Sequence, residues 1–160
     1  MTRINLVPVE ELSDQHLIAE YRELPRCIKQ NIDISDAPEK YCLGKGHMKW
    51  AKKHTGFILD RYYEICNEMK YRGFKVNYPW EDLAYYAMQH CGDEIYNMYT
   101  PDEKAIAISK ERLITKIADN YMFYKWTRRK RPNWTFWYVC NGQPIPKEYF
   151  KKLYDEINKL

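Results

Sequence analysis

The first 26 residues hold groups whose types and spacing suit nucleophilic chemistry. Thr2 has a small side chain, and the initiator Met is usually removed before such residues, so we expect the mature chain to begin at Thr2. A free α-amino group has a reference pKa of about 7.7–8.0, which leaves part of it uncharged at neutral pH, and cations such as Arg3 or Arg22 would lower that pKa. A neutral amine forms Schiff bases with electrophilic carbon, and a carboxylate such as Glu23 moves protons in those steps.

Spacing alone leaves a second interpretation of these residues open. Every protein has an amino terminus, and a helix with Glu beside Arg is usually a solvated surface. The residues around Thr2 and Glu23 therefore suggest chemistry without proving it.

The elements that must position these residues are predicted to be helices. Ser13 is suited to cap a helix that begins at Asp14, and Pro25 is expected to kink or stop it. Further helices are predicted from Thr55 to Gly73, from Pro79 to near Gly92, from a Thr100 cap through Ile117, and from Pro146 to residue 159. We predict an all-α fold of three to four main helices with long irregular connections. Residues 1–126 would form the domain, and residues 127–160 a basic-aromatic extension with an added helix, packed on the same domain.

Charge is nearly balanced overall but uneven along the chain. The 160 residues include 26 Lys and Arg against 22 Asp and Glu, a net charge of +4. Residues 40–75 hold nine Lys or Arg and three acids, and residues 112–131 hold seven and one; residues 76–103 between them hold six acids and no Lys or Arg. Two basic stretches on one surface would indicate nucleic-acid binding, and the alternative is a solvated surface without a ligand.

Composition excludes several classes of protein. With 45% hydrophobic and 30% charged residues, disorder is not expected. No run approaches the roughly 18 apolar residues of a membrane span, and residues 1–5 lack the pattern of a signal peptide. Five scattered Cys without a CxxC favour a reducing compartment such as the cytoplasm over a disulfide framework. The spacing of Cys42, His47, His54 and Cys66 fits no standard zinc site, and no metal is predicted.

Five ordered stretches occur together in one protein family. They are residues 1–6 (MTRINL) with 16–26 (HLIAEYRELPR); 43–47 (LGKGH); 72–74 (RGF); Tyr99-x-Pro101 with 105–109 (AIAIS), Arg112 and Lys116; and 124–126 (YKW). Together they resemble the pyrimidine-dimer DNA glycosylases over residues 1 to about 126. The first two stretches are the most specific.

The resemblance implies a DNA repair glycosylase with coupled abasic-site lyase activity. The Thr2 amine would attack C1′ of the 5′ deoxyribose of a cyclobutane pyrimidine dimer, form an imine, and promote β-elimination on the 3′ side. Glu23 matches the essential acid of the family. The family needs no cofactor, acts on duplex DNA, and acts as a monomer.

The resemblance also assigns DNA-binding residues. Arg22 and Arg26 match positions that hold phosphates, while Arg3 and His16 match positions near the sugar and phosphate. Arg112 and Lys116 match contacts to the DNA backbone, and Tyr124 and Lys125 match an aromatic-basic tail. His47 matches a site or DNA-facing position, although a structural turn after Gly-x-Gly is an equal alternative.

The chain departs from the family in two places. Between Arg26 and His47 it is shorter and less basic than phage-type members, which puts DNA affinity in doubt. Beyond residue 126 it has an unmatched extension, in which Arg128, Arg129, Lys130 and Arg131 lie between two Trp residues. These four are predicted to contact DNA in place of the lost contacts, and a solvated loop is the alternative. Two alternatives for the whole protein stay open: an abasic-site lyase with weak dimer activity, and a non-catalytic DNA-binding module on the same scaffold.

Overall fold

Helices form the body of the computed structural model, which describes residues 4–120 and 122–136 and the backbone of residues 138–140 and 143–145. The α-helices of this described part are α1 (Asp14–Lys29), α2 (His47–Lys53), α3 (Thr55–Tyr71), α4 (Trp80–His90) and α5 (Glu103–Asp119). Short 3-10 turns span Val9–Glu11, Asp93–Ile95 and Asn133–Phe136, and β1 (Tyr138–Cys140) pairs antiparallel with β2 (Gln143–Ile145). The predicted all-α class is confirmed, with this small hairpin added after the helices. The helix predicted over residues 146–159 lies outside the described residues.

Local sequence signals set most helix ends. Ser13 caps α1 as predicted, because its Oγ accepts the backbone N–H of His16 at 3.1 Å. Gly73 follows α3 with φ +87°, the left-handed conformation that favours glycine at a helix end. The prediction of a Thr100 cap was wrong. Asp102 caps α5 instead, since its Oδ1 accepts the N–H of Ala105 at 2.8 Å.

Pro25 does not stop α1, which continues to Lys29. Proline removes a single backbone donor, and burial of the residues on either side of it offsets that loss. Leu24, Cys27 and Ile28 are all fully buried, so tertiary packing outweighs the local cost. The seven-residue helix α2 was not predicted, because it is too short to show a full apolar period.

The core lies where α1, α3, α4 and α5 meet. Its fully buried members include Leu17, Leu24, Ile28, Ile58, Tyr62, Ile65, Leu83 and Ala87, with Leu113 nearly so. An extended segment, residues 4–7, runs through this core rather than over it, and Ile4 and Val7 are fully buried. Residues 4–7 are therefore held in the centre of the molecule. Within the described residues, no helix is long and apolar enough to cross a membrane.

Candidate active site

The amino-terminal segment meets α1 at a buried carboxylate. The backbone N–H and the side-chain amide of Asn5 both donate to Oε1 of Glu20, at 3.0 and 2.8 Å. The guanidinium of Arg61 on α3 pairs with the same carboxylate and donates to the Val7 carbonyl at 2.9 Å. Because a buried charge is costly without partners, this network ties residues 5–7 to two helices.

Helical spacing puts the inward and outward residues of α1 on different faces. Leu17, Glu20 and Leu24 follow one another at intervals of three and four and are buried. Arg22 and Arg26 project from the opposite side and are exposed. Glu23 lies on the boundary between the two faces, three residues after Glu20, and its side chain is 21% exposed.

Glu23 forms an ion pair with Arg26, whose Nη1 lies 3.0 Å from Glu23 Oε1. The Arg26 side chain is 71% exposed, so this pair contributes little to stability. Its guanidinium can therefore exchange the carboxylate for a phosphate at small cost. Burial, followed by the charges of Glu20 and Glu23, raises the pKa of the neighbouring Cys27 thiol to about 12. That thiol stays protonated and is not a competing nucleophile.

Helix α5 closes the other side of the amino-terminal segment. Nη1 of Arg112 donates to Oδ1 of Asn5 at 3.0 Å, which brings a cation of α5 against the segment. Lys116, one turn further along α5, is exposed. We refer to His16, Arg22, Glu23, Arg26, Arg112 and Lys116 together as the α1–α5 edge. The structure brings Arg112 and Lys116 close enough to His16 for their charges to lower the pKa of its ring, and it pairs Glu23 with Arg26.

His16 contributes to this edge as a neutral ring. Burial, then the charges of Arg112 and Lys116, lower the pKa of His16 to about 4. The ring stacks on Tyr124 with centroids 4.8 Å apart, and Nδ1 lies 2.8 Å from Ser13 Oγ. At neutral pH His16 therefore offers hydrogen bonds and a flat apolar face, not a positive charge.

The chain after α5 is fastened to the first turn of α1. The Asp14 N–H donates to the Lys125 carbonyl at 2.7 Å, while the Gln15 side chain donates to the Phe123 carbonyl and accepts the Lys125 N–H. These bonds hold Tyr124 against His16 and leave Lys125 exposed. The aromatic-basic tail thus borders the α1–α5 edge.

His47 is fully buried, and both ring nitrogens are used inside the protein. Its Nδ1 lies 2.7 Å from the Cys42 carbonyl, and its Nε2 accepts the N–H of Ile4 at 3.0 Å. Of the two alternatives for His47, direct contact with DNA and a structural turn, this geometry favours the structural one. It adds a specific task, which is to hold the chain two residues after Thr2.

The basic segment, residues 128–131, is mostly engaged with the protein itself. Arg128 donates to the Tyr71 carbonyl at 2.6 Å, and Arg131 donates to the Thr135 hydroxyl and lies over the rings of Trp126 and Phe136. Arg129 donates to both carboxylate oxygens of Glu68, at 2.9 and 2.8 Å. Burial would raise the pKa of Glu68, but the bonds and charges of Arg129 and Arg72 outweigh it and hold that pKa below its usual value.

The predicted DNA contact of the basic segment stays a prediction, and these bonds weaken it for the three arginines. Lys130 is exposed, and the acids Glu10 and Glu11 line the same surface cleft. Thr127 adds to the fastening, because its N–H and Oγ1 both donate to the Asp14 carboxylate. The described part of the extension is therefore bound to the starts and ends of helices.

Thr2 and Arg3 lie outside the described residues, so the structure bears on them only through the segment that follows. Among the residues that it describes, no group of three or more His, Cys, Asp or Glu side chains could hold a metal ion.

Sequence reasoning missed the buried polar groups Asn5, Glu20, Tyr41, Arg61 and Ser109. Glu20 carried a usable signal, since it lies at helical spacing between Leu17 and Leu24, where an apolar residue is expected. The others gave no signal, because their partners are distant in sequence; Leu6 and Ser109, for example, are 103 residues apart.

The fold and the site define a helical protein whose buried amino-terminal segment lies beside a carboxylate and a row of cations. The sequence profile of the family described as pyrimidine dimer DNA glycosylase matches residues 1–82, just over half of the 160 residues. The chain therefore belongs to the pyrimidine dimer DNA glycosylases, a family of DNA repair enzymes whose substrate is DNA. The match includes α1 through the start of α4. Arg112, Lys116 and residues 124–131 lie beyond it, and their contact with DNA stays a prediction.

Proposed function

We propose that this protein excises cyclobutane pyrimidine dimers through an imine formed by the α-amino group of Thr2, and that the same imine leads to strand cleavage. The observation that carries the proposal is the anchoring of Asn5 to Glu20 on α1. Glu23 is one turn beyond Glu20, about 4.5 Å along the helix axis. The three residues from Asn5 back to Thr2 span at most about 10 Å. Chain connectivity thus keeps the amine within reach of Glu23.

The chemistry proceeds in two linked stages. The neutral amine attacks C1′ of the 5′ nucleotide of the dimer, the N–C1′ bond forms, and the glycosidic bond breaks. Opening of the sugar ring gives an imine. Loss of a proton from C2′ then expels the 3′ phosphate by β-elimination. Glu23 stabilises the developing positive charge and transfers protons in both stages.

The cations of the α1–α5 edge would hold the DNA. Arg22, Arg26 and Lys116 are exposed and suited to bind phosphates. Neutral His16, stacked on Tyr124, offers a rigid flat surface beside the sugar. Distortion of the duplex costs less at a poorly stacked lesion, which favours the dimer over intact DNA. All of these groups come from one chain, so the proposal requires no second copy.

Borohydride trapping tests the proposal. The mature protein is incubated with duplex oligonucleotides that carry either a dimer or an abasic site, and borohydride reduces any imine to a stable covalent bond. We expect trapping on both substrates, with peptide mapping that places the DNA on Thr2. A chain that retains Met1 is the matched control, and it should not trap because its amine is displaced by one residue.

The same assay separates the alternatives. Trapping on the abasic site alone would indicate a lyase with weak dimer activity. If a chain shown to begin at Thr2 traps neither substrate, the result would indicate a non-catalytic DNA-binding module.

A further inference from the structure

Side chains from several elements hold the backbone of residues 4–6, where an extended chain would usually pair with another strand. The Tyr41 hydroxyl donates to the Ile4 carbonyl at 2.6 Å, and His47 Nε2 accepts the Ile4 N–H at 3.0 Å. Ser109 Oγ on α5 accepts the Leu6 N–H at 3.1 Å and donates to the Tyr41 hydroxyl at 3.0 Å. Tyr41, His47 and Ser109 therefore form a clamp around the segment.

The clamp is buried. His47 and Ser109 are fully buried and Tyr41 is 6% exposed. A carbonyl oxygen can only accept, so the contact with Cys42 requires the proton of His47 on Nδ1 and leaves Nε2 as the acceptor for Ile4. Every bond of the clamp thus has a defined donor and acceptor. Deleting one leaves a buried polar group unpaired.

The clamp lies outside the DNA-facing surface but close to the nucleophile along the chain. Ile4 is two residues from Thr2, and two residues span at most about 7 Å. The three clamp residues come from the loop before α2, from α2 itself and from α5. The backbone of Ile4 and Leu6 is therefore held by elements other than α1, in addition to the bonds that join Asn5 to Glu20 on α1.

We propose that Tyr41, His47 and Ser109 are positioning residues for the reaction of the Thr2 amine. This inference rests on the proposed function. The three side chains act through the backbone of Ile4 and Leu6 and touch neither the DNA nor the reacting atoms. Their task is to hold the amine at attacking distance from C1′ when the DNA is bound. A displacement of about 1 Å at a reacting group can cost about 100-fold in rate.

Tyr41→Phe is the sharpest test, because it removes one hydroxyl and preserves the ring. Tyr62→Phe is a matched control: its hydroxyl is also buried and donates to a backbone carbonyl, that of Tyr78, at 2.5 Å, away from the amino-terminal segment. We expect Tyr41→Phe to lower the single-turnover rate of imine trapping on abasic DNA about 10- to 100-fold at saturating protein. The Kd for the same DNA should change less than twofold. Tyr62→Phe should trap at the wild-type rate.

The attachment site gives a readout that fold stability alone would not move. In the wild-type protein, we expect the reduced DNA adduct on Thr2. In Tyr41→Phe, a displaced amine should leave part of the trapped DNA on lysine side chains, which peptide mapping detects. The fraction of folded protein is checked by thermal unfolding of both variants before the assay.

His47 provides a rescue series. Gln places an acceptor near the position of Nε2, whereas Leu has none, so His47→Gln should retain more trapping activity than His47→Leu. The positioning proposal would be overturned if Tyr41→Phe trapped DNA as fast as the wild type, or if Tyr41→Phe and Tyr62→Phe lost trapping activity equally. Neither result would contradict imine formation by the protein. Absence of trapping by the wild-type protein would instead reject the proposed function itself.

Discussion

The α1–α5 edge and the basic segment both concentrate arginine and lysine, yet their charges have different uses. At the α1–α5 edge, Arg22 and Lys116 project into solvent, and Arg26 shares only an exposed pair with Glu23. In the basic segment, Arg129 is bound to the buried Glu68, and Arg128 and Arg131 donate to other protein groups. The difference teaches that a count of cations does not by itself identify a ligand surface, because cations bound to buried groups of the protein are already engaged.

The partners also explain why the two regions differ in kind. A cation paired with a buried carboxylate takes the place of the water that would otherwise solvate that carboxylate. If the cation leaves, the buried charge is unpaired, and this costs free energy. A cation in solvent loses little when a phosphate replaces water around it. The α1–α5 edge is therefore suited to a ligand that comes and goes, and the basic segment to a permanent contact within the fold.

The largest expected effect is on catalysis, and it tests whether the α1–α5 edge carries the carboxylate that takes part in the reaction. Glu23→Gln should reduce dimer cleavage by about 10²–10⁴-fold, the usual contribution of a proton-transferring group, with DNA binding retained. Glu64→Gln, an exposed acid on α3, is the control and should be fully active. Cleavage rates and Kd measured on one dimer-containing duplex check both variants. Full cleavage by Glu23→Gln would remove Glu23 from the mechanism.

A second prediction concerns the neutral ring of the edge. The folded pKa of His16 is about 4 and the reference value is 6.5, so its contribution to stability is present above pH 6.5 and is lost as the pH falls towards 4. By pH 4.5 the loss relative to pH 7.5 is about 2–3 kcal/mol. His16→Gln should lack this part of the acid dependence.

Urea unfolding at both pH values measures the effect. His90→Gln, which changes an exposed histidine, should retain the wild-type dependence. An identical pH dependence in His16→Gln and wild type would show that folding does not lower the pKa of His16, and burial would then not be what keeps the ring of the α1–α5 edge neutral.

A third prediction tests the structural use of the basic segment. Arg129→Gln removes the two hydrogen bonds that the guanidinium donates to Glu68, and Arg72 remains as a partner of that carboxylate. The free energy of unfolding should fall by about 1–2 kcal/mol, because the lost bonds involve a buried charge and a partly exposed arginine. Affinity for DNA should be unchanged. A clear loss of affinity without a loss of stability would mean that this arginine binds DNA.

The smallest expected effect is on the salt dependence of DNA binding, and a comparison of two exposed lysines tests it. Lys116→Gln should lower the slope of log K against log salt by about 1 and weaken DNA binding a few-fold, as expected for the loss of one phosphate contact. Lys130→Gln should leave the slope unchanged, because Glu10 and Glu11 line the cleft beside Lys130 and repel phosphates. Binding titrations at several salt concentrations measure the slopes of both variants. Equal slope changes would place the basic segment on DNA as well.

The order of residues along the chain determined the family, the helical class and most of the local structure. Ser13 and Gly73 mark helix ends because capping and left-handed backbone are local properties. The residues of α1 fall on predictable faces for the same reason, since helical period follows from sequence. Motifs at the amino terminus were sufficient to nominate Thr2 and Glu23.

Only the tertiary structure decided which polar groups are buried together and which cations are left for a ligand. Ser109 holds Leu6, and Arg129 holds Glu68, across long stretches of chain that no local pattern connects. His47 shows the same limit, because Gly-x-Gly before it fits a DNA-facing turn as well as a buried clamp. Burial and pairing depend on contacts distant in sequence, and those contacts separate cations that are exposed to solvent, which we propose bind DNA, from cations bound within the fold.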